Sequence, residues 1–315
     1  MPDSSQAAPQ ARDPEIPHRP LAKPGNLRRF FITSTLLLMG FSPLLYQLVR
    51  FASGSELYSY LILIPFVSGY LVWLRRPLPT PFGQPLSPAW ALGFAFAGGG
   101  MLASYGLSLT SGSPPLQQDG LALAMYSLVL LFTGICCWSL DRAILRPLAF
   151  PLGFLVFLAP LPLNVETSLE TFLQHGSSVV AHAFFQIIGT PVFRNGTSFQ
   201  LPGFSLQVAP ECSGIHSTFA LFITSLVAGQ VLLTANRSRA ILALAVLPIA
   251  LLRNGLRVTV IGELCVHIGP EMIDSYIHRH GGPIFFMLSL MPFSLLLFLL
   301  VKTDRPRAQP GRPTP

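Results

Sequence analysis

The sequence predicts an all-α polytopic membrane protein with about eight transmembrane helices, and three observations support this. Of its 315 residues, 51% are hydrophobic and only 10% are charged, whereas a soluble protein carries roughly 25% charged residues. The apolar residues fall into eight runs close to the roughly 20 residues that a helix needs to cross the hydrocarbon core. Most charged residues lie between these runs.

We predict the eight runs as transmembrane segments one to eight in chain order. They are Phe30–Val49, Leu57–Leu74, Ala89–Leu109, Gly120–Leu140, Ile144–Leu161, Ile215–Thr234, Ala240–Ile261 and Pro283–Val301. The first run is too long for a signal peptide and is not followed by a small-residue cleavage pattern. We therefore expect a retained anchor.

The Lys and Arg residues set the predicted orientation. If both termini are cytoplasmic, 15 of the 20 Lys and Arg residues lie on the cytoplasmic side, in agreement with the positive-inside rule. The formal net charge of +7 is then a consequence of topology. Because the basic residues do not form one long run, nucleic-acid binding is not expected.

One membrane-embedded domain is predicted over residues 29–302. Residues 1–28, rich in Pro, Ala and Gln, are expected to form a disordered cytoplasmic tail. Residues 303–315 form a second cytoplasmic tail that is basic and Pro-rich. We find no internal repeat and no second domain in the sequence.

The connection between segments five and six, residues 162–214, is the longest and lies on the predicted extracytoplasmic side. Within it, Val165–Ile188 has apolar residues at helical spacing, which predicts a small amphipathic helix along the membrane interface. The following "VFRNGTSFQLPGFSLQV" alternates around an Asn-Gly pair, which predicts a short hairpin. Long connections are common places for functional residues.

Polar side chains gather at three places near the predicted outer ends of the apolar runs. A charged side chain deep in a bilayer costs about 2.5 to 3.5 kcal/mol on insertion scales, which makes such residues functional candidates. The three places are "PECSG" before segment six, "LLRNGLRVTV" in segment seven and "DSYIHRHGGPIFF" before segment eight. Their candidate residues are Glu211, Cys212, Ser213, Arg253, Asn254, Arg257, His278 and His280.

The four cysteines are not equivalent. Cysteines in membrane helices are mostly packed as small hydrophobes, which we expect for Cys136, Cys137 and Cys265. Cys212 instead follows a Pro-Glu pair and precedes a Ser-Gly pair, which favours a shaped, wet turn at the start of a helix. A disulfide framework or a CxxC metal pair is not predicted from these spacings.

Arg253 and Arg257 lie four residues apart and therefore share one helical face. An arginine near a helix end commonly extends to the interface, and this interpretation stays open for Arg253, whereas Arg257 lies deeper in the run. Together the three places supply an acyl-transfer site. A thiolate is the nucleophile, a histidine exchanges the proton and an arginine neutralises the developing oxyanion.

At these residues the sequence resembles the exosortase/archaeosortase family of membrane transpeptidases. The resemblance rests on "ECSGI" around Cys212, on "NGLRV" as an Asn-x-x-Arg motif and on "HRHGGPIFF" as a third motif. Two upstream stretches in segments two and five, "YSYLILIPFVSGYLVWLRR" and "LRPLAFPLGFLVFLAPLPL", are also similar to family signatures. The five matches occur in order over most of the chain.

The resemblance implies a cysteine transpeptidase or protease of the bacterial inner membrane with its active site on the extracytoplasmic side. It implies Cys212 as the nucleophile, Arg257 as the arginine and His278 as the histidine, with His280 and Arg253 as alternates and Glu211, Ser213 and Asn254 in supporting roles. The substrates would be membrane-anchored proteins with a C-terminal motif, a transmembrane helix and a basic tail. The acceptor would be a lipid or polysaccharide of the cell envelope, and neither a cofactor nor a metal is expected.

Two other classes of function remain as alternatives. A polytopic transporter would also carry arginines within broken helices, but it would scatter polar residues near the membrane midplane in several segments. A metal-dependent intramembrane hydrolase would use Cys212 with His216 and a later histidine. It would be expected to show an HExxH motif or a carboxylate cluster.

Overall fold

The computed structural model describes residues 24–55, 57–75, 88–110, 116–208, 213–269, 271–272 and 282–304. These residues are predominantly helical, and the prediction of an all-α polytopic membrane protein is confirmed. Residues 1–23 and 305–315, which make up most of the two predicted tails, lie outside the described residues. The domain boundaries after residues 28 and 302 therefore stay predictions.

Within the described residues the chain forms α-helices that we number α1 to α10. They are α1 Pro24–Gly40, α2 Ser42–Ser53, α3 Ile64–Arg75, α4 Pro88–Thr110, α5 Gln117–Ser139, α6 Arg142–Phe154, α7 Leu163–Ile188, α8 Ile215–Leu232, α9 Asn236–His267 and α10 Gly282–Asp304. Short 3₁₀ helices precede α3 at Ser59–Leu63 and follow α6 at Leu155–Leu158.

Each of the eight predicted segments is at least partly helical, but they are not equally suited to cross a membrane. By length and composition, five helices of the described residues qualify on their own, namely α4, α5, α8, α9 and α10. The number rises to at most seven if the bent pairs α1 with α2 and α6 with α7 each count as one span. The first predicted run is thus two helices, and the count of eight spans stays a prediction.

The chain divides into two compact units. Unit 1 comprises Met1–Arg50 and Leu61–Pro160, and unit 2 comprises Phe51–Tyr60 and Leu161–Pro315. In unit 1, the buried Ser127 hydroxyl of α5 donates to the Gly98 carbonyl of α4 at 2.8 Å. A Cβ on Gly98 would meet the Leu131 side chain at 2.9 Å. Small residues thus let these two helices approach closely, as is common between membrane helices.

In unit 2, α7 and α9 make a similarly close contact through small residues of α9. A Cβ added to Gly255 would lie 2.5 Å from the Val180 side chain, and one added to Gly262 would lie 2.5 Å from the Phe185 ring. Between them, the buried Thr259 hydroxyl donates to the Gly255 carbonyl of its own helix at 2.9 Å and lies 3.4 Å from the Ala181 carbonyl of α7. This contact fixes the position of the "NGLRV" stretch against α7.

We expect Gly255→Ala to lower the free energy of unfolding by roughly 1 to 3 kcal/mol, because the added methyl group overpacks the contact between α7 and α9. The Ala181 backbone nitrogen, 3.1 Å from the new Cβ, limits how far the chain can relax. Unfolding of the full chain in detergent measures the effect. Gly99→Ala is the matched control, since nothing lies within 4 Å of its Cβ; equal effects of the two changes would contradict the prediction.

Three short strands follow α7. They are β1 Phe193–Asn195, β2 Ser198–Leu201 and β3 Phe204–Gln207, antiparallel in the order β1-β2-β3. Gly196 and Gly203 occupy the two turns with φ of 63° and 88°, a left-handed conformation that glycine adopts without strain. The predicted helix and hairpin are both found, and the hairpin has a third strand. Their extracytoplasmic position stays a prediction.

The sheet lies on the pair of helices α7 and α9. Its buried Phe199, Leu201 and Leu206 pack in one cluster with Phe185 of α7 and Val258 of α9. Strand β3 therefore ends next to α7, and Val208 after it also belongs to this cluster. The chain leaves the sheet at this point and enters the "PECSG" stretch.

At the other end of unit 2, the carboxylate of Asp304 binds the start of α9. Its Oδ2 accepts hydrogen bonds from the backbone N–H groups of Thr234 at 2.6 Å and Ala235 at 3.0 Å. Arg239 donates to the Leu233 carbonyl at the end of α8. These contacts satisfy backbone groups that helix ends leave without intrahelical partners.

Candidate functional site

The stretch that contains Cys212 is anchored by described residues on both sides. Before it, the Gln174 side chain of α7 donates to the Val208 carbonyl. After it, the Asn254 amide of α9 donates to the Ser213 carbonyl at 3.3 Å. Glu211 and Cys212 themselves lie outside the described residues, so the structure defines the two attachment points of this stretch.

The buried Asn254 side chain joins two helices to the "PECSG" stretch. Its Nδ2 donates both to the Ser213 carbonyl and to the Ser177 hydroxyl of α7, the latter at 3.0 Å. Asn254 and Ser213 are 2% and 1% exposed. Because a buried amide needs hydrogen-bond partners, this pairing fixes the Ser213 backbone relative to α7 and α9.

Gly214 is the N-cap residue of α8. Its φ is 74°, and a Cβ at this position would meet the Arg253 Nη2 atom at 2.6 Å and the Asn254 Oδ1 atom at 3.2 Å. A side chain at this position is disfavoured by the left-handed backbone, and the Arg253 and Asn254 side chains would have to move to make room for it. The backbone conformation and these contacts explain why a glycine occupies this position of "ECSGI".

The Gly214 carbonyl accepts several hydrogen bonds. The Thr218 N–H group at 3.0 Å and the Thr218 hydroxyl at 2.7 Å come from the first turn of α8. The Ser217 hydroxyl adds a bond at 3.1 Å, and Arg253 Nη2 of α9 adds one at 3.2 Å. The turn after Cys212 is therefore held by α8 and α9 together.

The structure separates the two candidate arginines. Arg253 is 6% exposed, and its guanidinium donates to the Gly214 carbonyl within unit 2. Arg257, one helical turn further along α9, is partly buried, and its positive charge repels that of Arg253. The contact between Arg253 and Gly214 was not predicted, although Arg253 itself was a candidate residue because it lies next to Asn254.

A second polar pair in unit 2 was also not predicted. The Tyr58 hydroxyl, on a residue only 2% exposed, donates to the Glu166 carboxylate of α7 at 2.6 Å. The neighbouring Tyr60 ring lies 5.2 Å from the Phe219 ring of α8, measured between centroids. The sequence signal for these contacts was the "YSY" at the start of the second predicted segment. Tyr58 contacts α7 and Tyr60 contacts α8, which are the helices before and after Cys212 in the chain.

The remaining candidates differ in what the structure describes of them. His278 and His280 lie outside the described residues. The side chains of Cys136, Cys137 and Cys265 are buried, with exposures of 2 to 3%, as expected for cysteines packed as small hydrophobes. The described residues thus bring together Ser213, Asn254 and the alternate arginine Arg253.

Comparison with known proteins gives one match. A family model described as transmembrane exosortase matches residues 50–295. No curated protein and no solved structure matches the chain. The matched region begins in α2, ends in α10 and includes the polar network around Ser213 and Asn254. The chain belongs to the transmembrane exosortase family, whose members are sorting-related membrane transpeptidases.

Proposed function

We propose that this protein is a cysteine transpeptidase that cleaves C-terminal sorting signals of exported proteins and transfers the new C-terminus to a cell-envelope acceptor. The observation that carries the proposal is the pair of hydrogen bonds from Asn254 and Arg253 to the Ser213–Gly214 backbone. This contact joins the "ECSGI" and "NGLRV" motifs, which are 41 residues apart at Asn254 and Ser213.

The network supports a positioned nucleophile. Cys212 is bonded directly to Ser213, whose carbonyl is held by a buried amide. Holding a reacting group in place removes much of the entropy that the chemical step would otherwise cost. The start of α8, at Ile215, contributes the positive end of a helix dipole, which favours the thiolate form.

The proposed reaction proceeds in two steps. The Cys212 thiolate attacks the scissile carbonyl, and the negative charge that develops on its oxygen is stabilised by Arg257, whose planar guanidinium stays charged. His278 gives its proton to the leaving amine, and a thioester forms. A nucleophilic group of the acceptor then attacks the thioester carbonyl and gives its proton to His278. The S–C bond breaks, and Cys212 is regenerated as the thiolate beside protonated His278.

The substrates follow from the proposed position of the thiol. A protein held by one C-terminal transmembrane helix presents the residues just before that helix at the outer interface, where Cys212 lies in the proposed topology. The basic tail after the helix stays in the cytoplasm, in agreement with the positive-inside rule. The substrate therefore arrives by diffusion in the membrane.

A reporter protein tests the proposal. It ends in a motif, an apolar helix and a basic tail taken from a protein of the same genome, and it carries one tag before the motif and one after the basic tail. Co-expression with this chain should separate the two tags, and the fragment with the first tag should carry an added acceptor mass. Identical reporters in cells with and without the chain would contradict the proposal.

We expect the thiol of Cys212 to react with a membrane-impermeant reagent added outside intact spheroplasts, at a rate that rises with pH as the thiolate forms. A Cys136→Ala, Cys137→Ala, Cys265→Ala variant leaves Cys212 as the one labelled site. External protease should not remove tags at either terminus. Labelling only after permeabilisation would contradict the proposed orientation.

We also expect Asn254→Asp to lower the processing rate by at least about tenfold. The new carboxylate has the same shape but cannot donate to the Ser213 carbonyl, and an unsatisfied buried group costs about 1 to 3 kcal/mol. Ser177→Ala is the matched control, because it removes the Ser177 hydroxyl that Nδ2 also binds and leaves the Ser213 bond. Processing of the reporter at the wild-type rate by folded Asn254→Asp protein would argue against a positioning role.

A further inference from the structure

An apolar cavity of about 330 Å³ lies between α7, α8 and α9 in unit 2. One lining residue on each helix is buried, namely Leu173, Ile215 and Val246, with exposures of 2 to 4%. Two further lining residues, Phe172 of α7 and Leu244 of α9, are 53% and 75% exposed. The cavity is therefore a groove with a buried floor and an exposed rim, which we call the apolar groove.

The apolar groove begins beside the turn that follows Cys212. Its α8 wall runs from Ile215, the first residue of that helix, to Phe222, two turns further along. At 1.5 Å per residue this wall is roughly 10 Å long. Because α8 is long and apolar enough to cross a membrane, the groove lies at the depth of the first two turns of a membrane-spanning helix.

The lining of the apolar groove determines what kind of group it can hold. Thr218 is the one polar residue among its described lining residues, and the Thr218 hydroxyl donates to the Gly214 carbonyl at 2.7 Å. A polar ligand would lose its hydration here without gaining hydrogen bonds in return. An apolar group would gain the dispersion contacts with the walls that an empty groove lacks. The groove therefore suits an apolar occupant.

A helix fills such a groove at a lower entropic cost than a lipid chain does. The lipid chain must lose internal rotations when it is confined, whereas a helix is already ordered before it binds. Grooves that bind helices accept side chains spaced three, four and seven residues apart, and the α8 wall has the two-turn length that this spacing needs. Association between membrane helices depends on such packing, because lipid tails are as apolar as the side chains.

We propose that the apolar groove binds the first two turns of the substrate's transmembrane helix. This inference rests on the proposed function, in which the scissile bond lies just before that helix. Side chains on one face of the substrate helix then pack against Phe219 and Leu244. The residues before the helix lie next to the Gly214 turn, which Thr218 holds. The groove would thus determine how far the substrate helix enters, and hence which peptide bond reaches Cys212.

Photocrosslinking tests this proposal without requiring catalysis. The full chain carries Cys212→Ser, so that the doubly tagged reporter is not consumed, and benzoylphenylalanine in place of Leu244. Illumination of membranes that contain both proteins should give an adduct with the reporter, and mass spectrometry should place the crosslink in the first two turns of the reporter's apolar helix. Benzoylphenylalanine in place of Leu295 is the matched control, because Leu295 of α10 is 60% exposed and does not line the groove.

The adducts distinguish the proposed occupant from the others. No reporter adduct from position 244, adducts with lipid alone, or adducts with a second copy of the chain would each overturn the proposal. An equal yield of reporter adduct from position 295 would overturn it as well. Crosslinks at the expected helix turns, together with no cleavage of the reporter by the wild-type chain, would support the groove and contradict the proposed function instead.

A substitution that fills the apolar groove provides a kinetic test. Ala243 lines the groove from α9, and Ala243→Trp should raise the KM for the reporter by at least about tenfold while kcat is retained, because it obstructs binding of the helix and leaves the catalytic residues in place. Ala245→Trp is the matched control, because Ala245 is also half-buried on α9 but does not line the groove. Equal effects of the two changes on KM, or a loss of kcat with KM unchanged in Ala243→Trp, would overturn the proposal.

Discussion

Cys212→Ser is expected to abolish processing of a doubly tagged reporter. The hydroxyl of serine has nearly the same shape as the thiol, but its far higher pKa leaves almost no anion to attack the scissile carbonyl. The anchored Ser213 and Gly214 are unaffected by the exchange, so the variant should fold normally. The measurement is the fraction of reporter cleaved in membranes that contain equal amounts of the two proteins.

The other cysteines provide the controls for this experiment. Cys136→Ala, Cys137→Ala and Cys265→Ala should each retain processing, because their side chains are buried and act as small packing groups. Processing at the wild-type rate by Cys212→Ser would end the thiol mechanism. Loss of processing in one of the three controls, with the protein folded, would move the nucleophile to that position.

The second large effect is expected for the histidine that gives its proton to the leaving amine. Removal of general acid–base assistance typically costs 10²- to 10⁴-fold in rate, and we expect a deficit of this size for His278→Ala. The spacing of His278 to Gly282 is the one that the family resemblance implies. His280→Ala should show a much smaller deficit.

Comparison of the two single variants with the double variant makes this test decisive. Two residues apart, the side chains point about 200° from each other on a helix, so that only one of them reaches a given point. A deficit in His280→Ala that exceeds the one in His278→Ala would exchange their roles. Mild effects of both, with an active double variant, would show that Cys212 works without either histidine.

The helices and the amphipathic α7 could be predicted because they depend on local patterns. Apolar runs of sufficient length give the helices, and the spacing of apolar residues in Val165–Ile188 gives α7 almost to its observed bounds. The break of the first run near Phe41 had a local signal in Pro43, which favours the first turn of a new helix. The third strand also had a local sequence signal, because the Pro-Gly pair at Pro202 and Gly203 favours a turn before it.

The contacts of the candidate site depend on tertiary packing and had no local signal. Asn254 meets Ser213 across 41 residues and Ser177 across 77, and only the packed helices bring these groups together. The sequence therefore identified Arg253 and Asn254 as costly polar residues in an apolar run, but not their partners. The same holds for Tyr58 and Glu166, which are 108 residues apart.

The carboxylate that binds the start of α9 sets an order of events during synthesis. Asp304 follows its partner Thr234 by 70 residues, which at roughly 5 to 20 residues per second is a delay of about 4 to 14 s. During that time the N–H groups of Thr234 and Ala235, just before α9, depend on water. The turn between α8 and α9 must therefore stay hydrated until α10 is complete, which favours its insertion as a hairpin with the turn left in the aqueous phase.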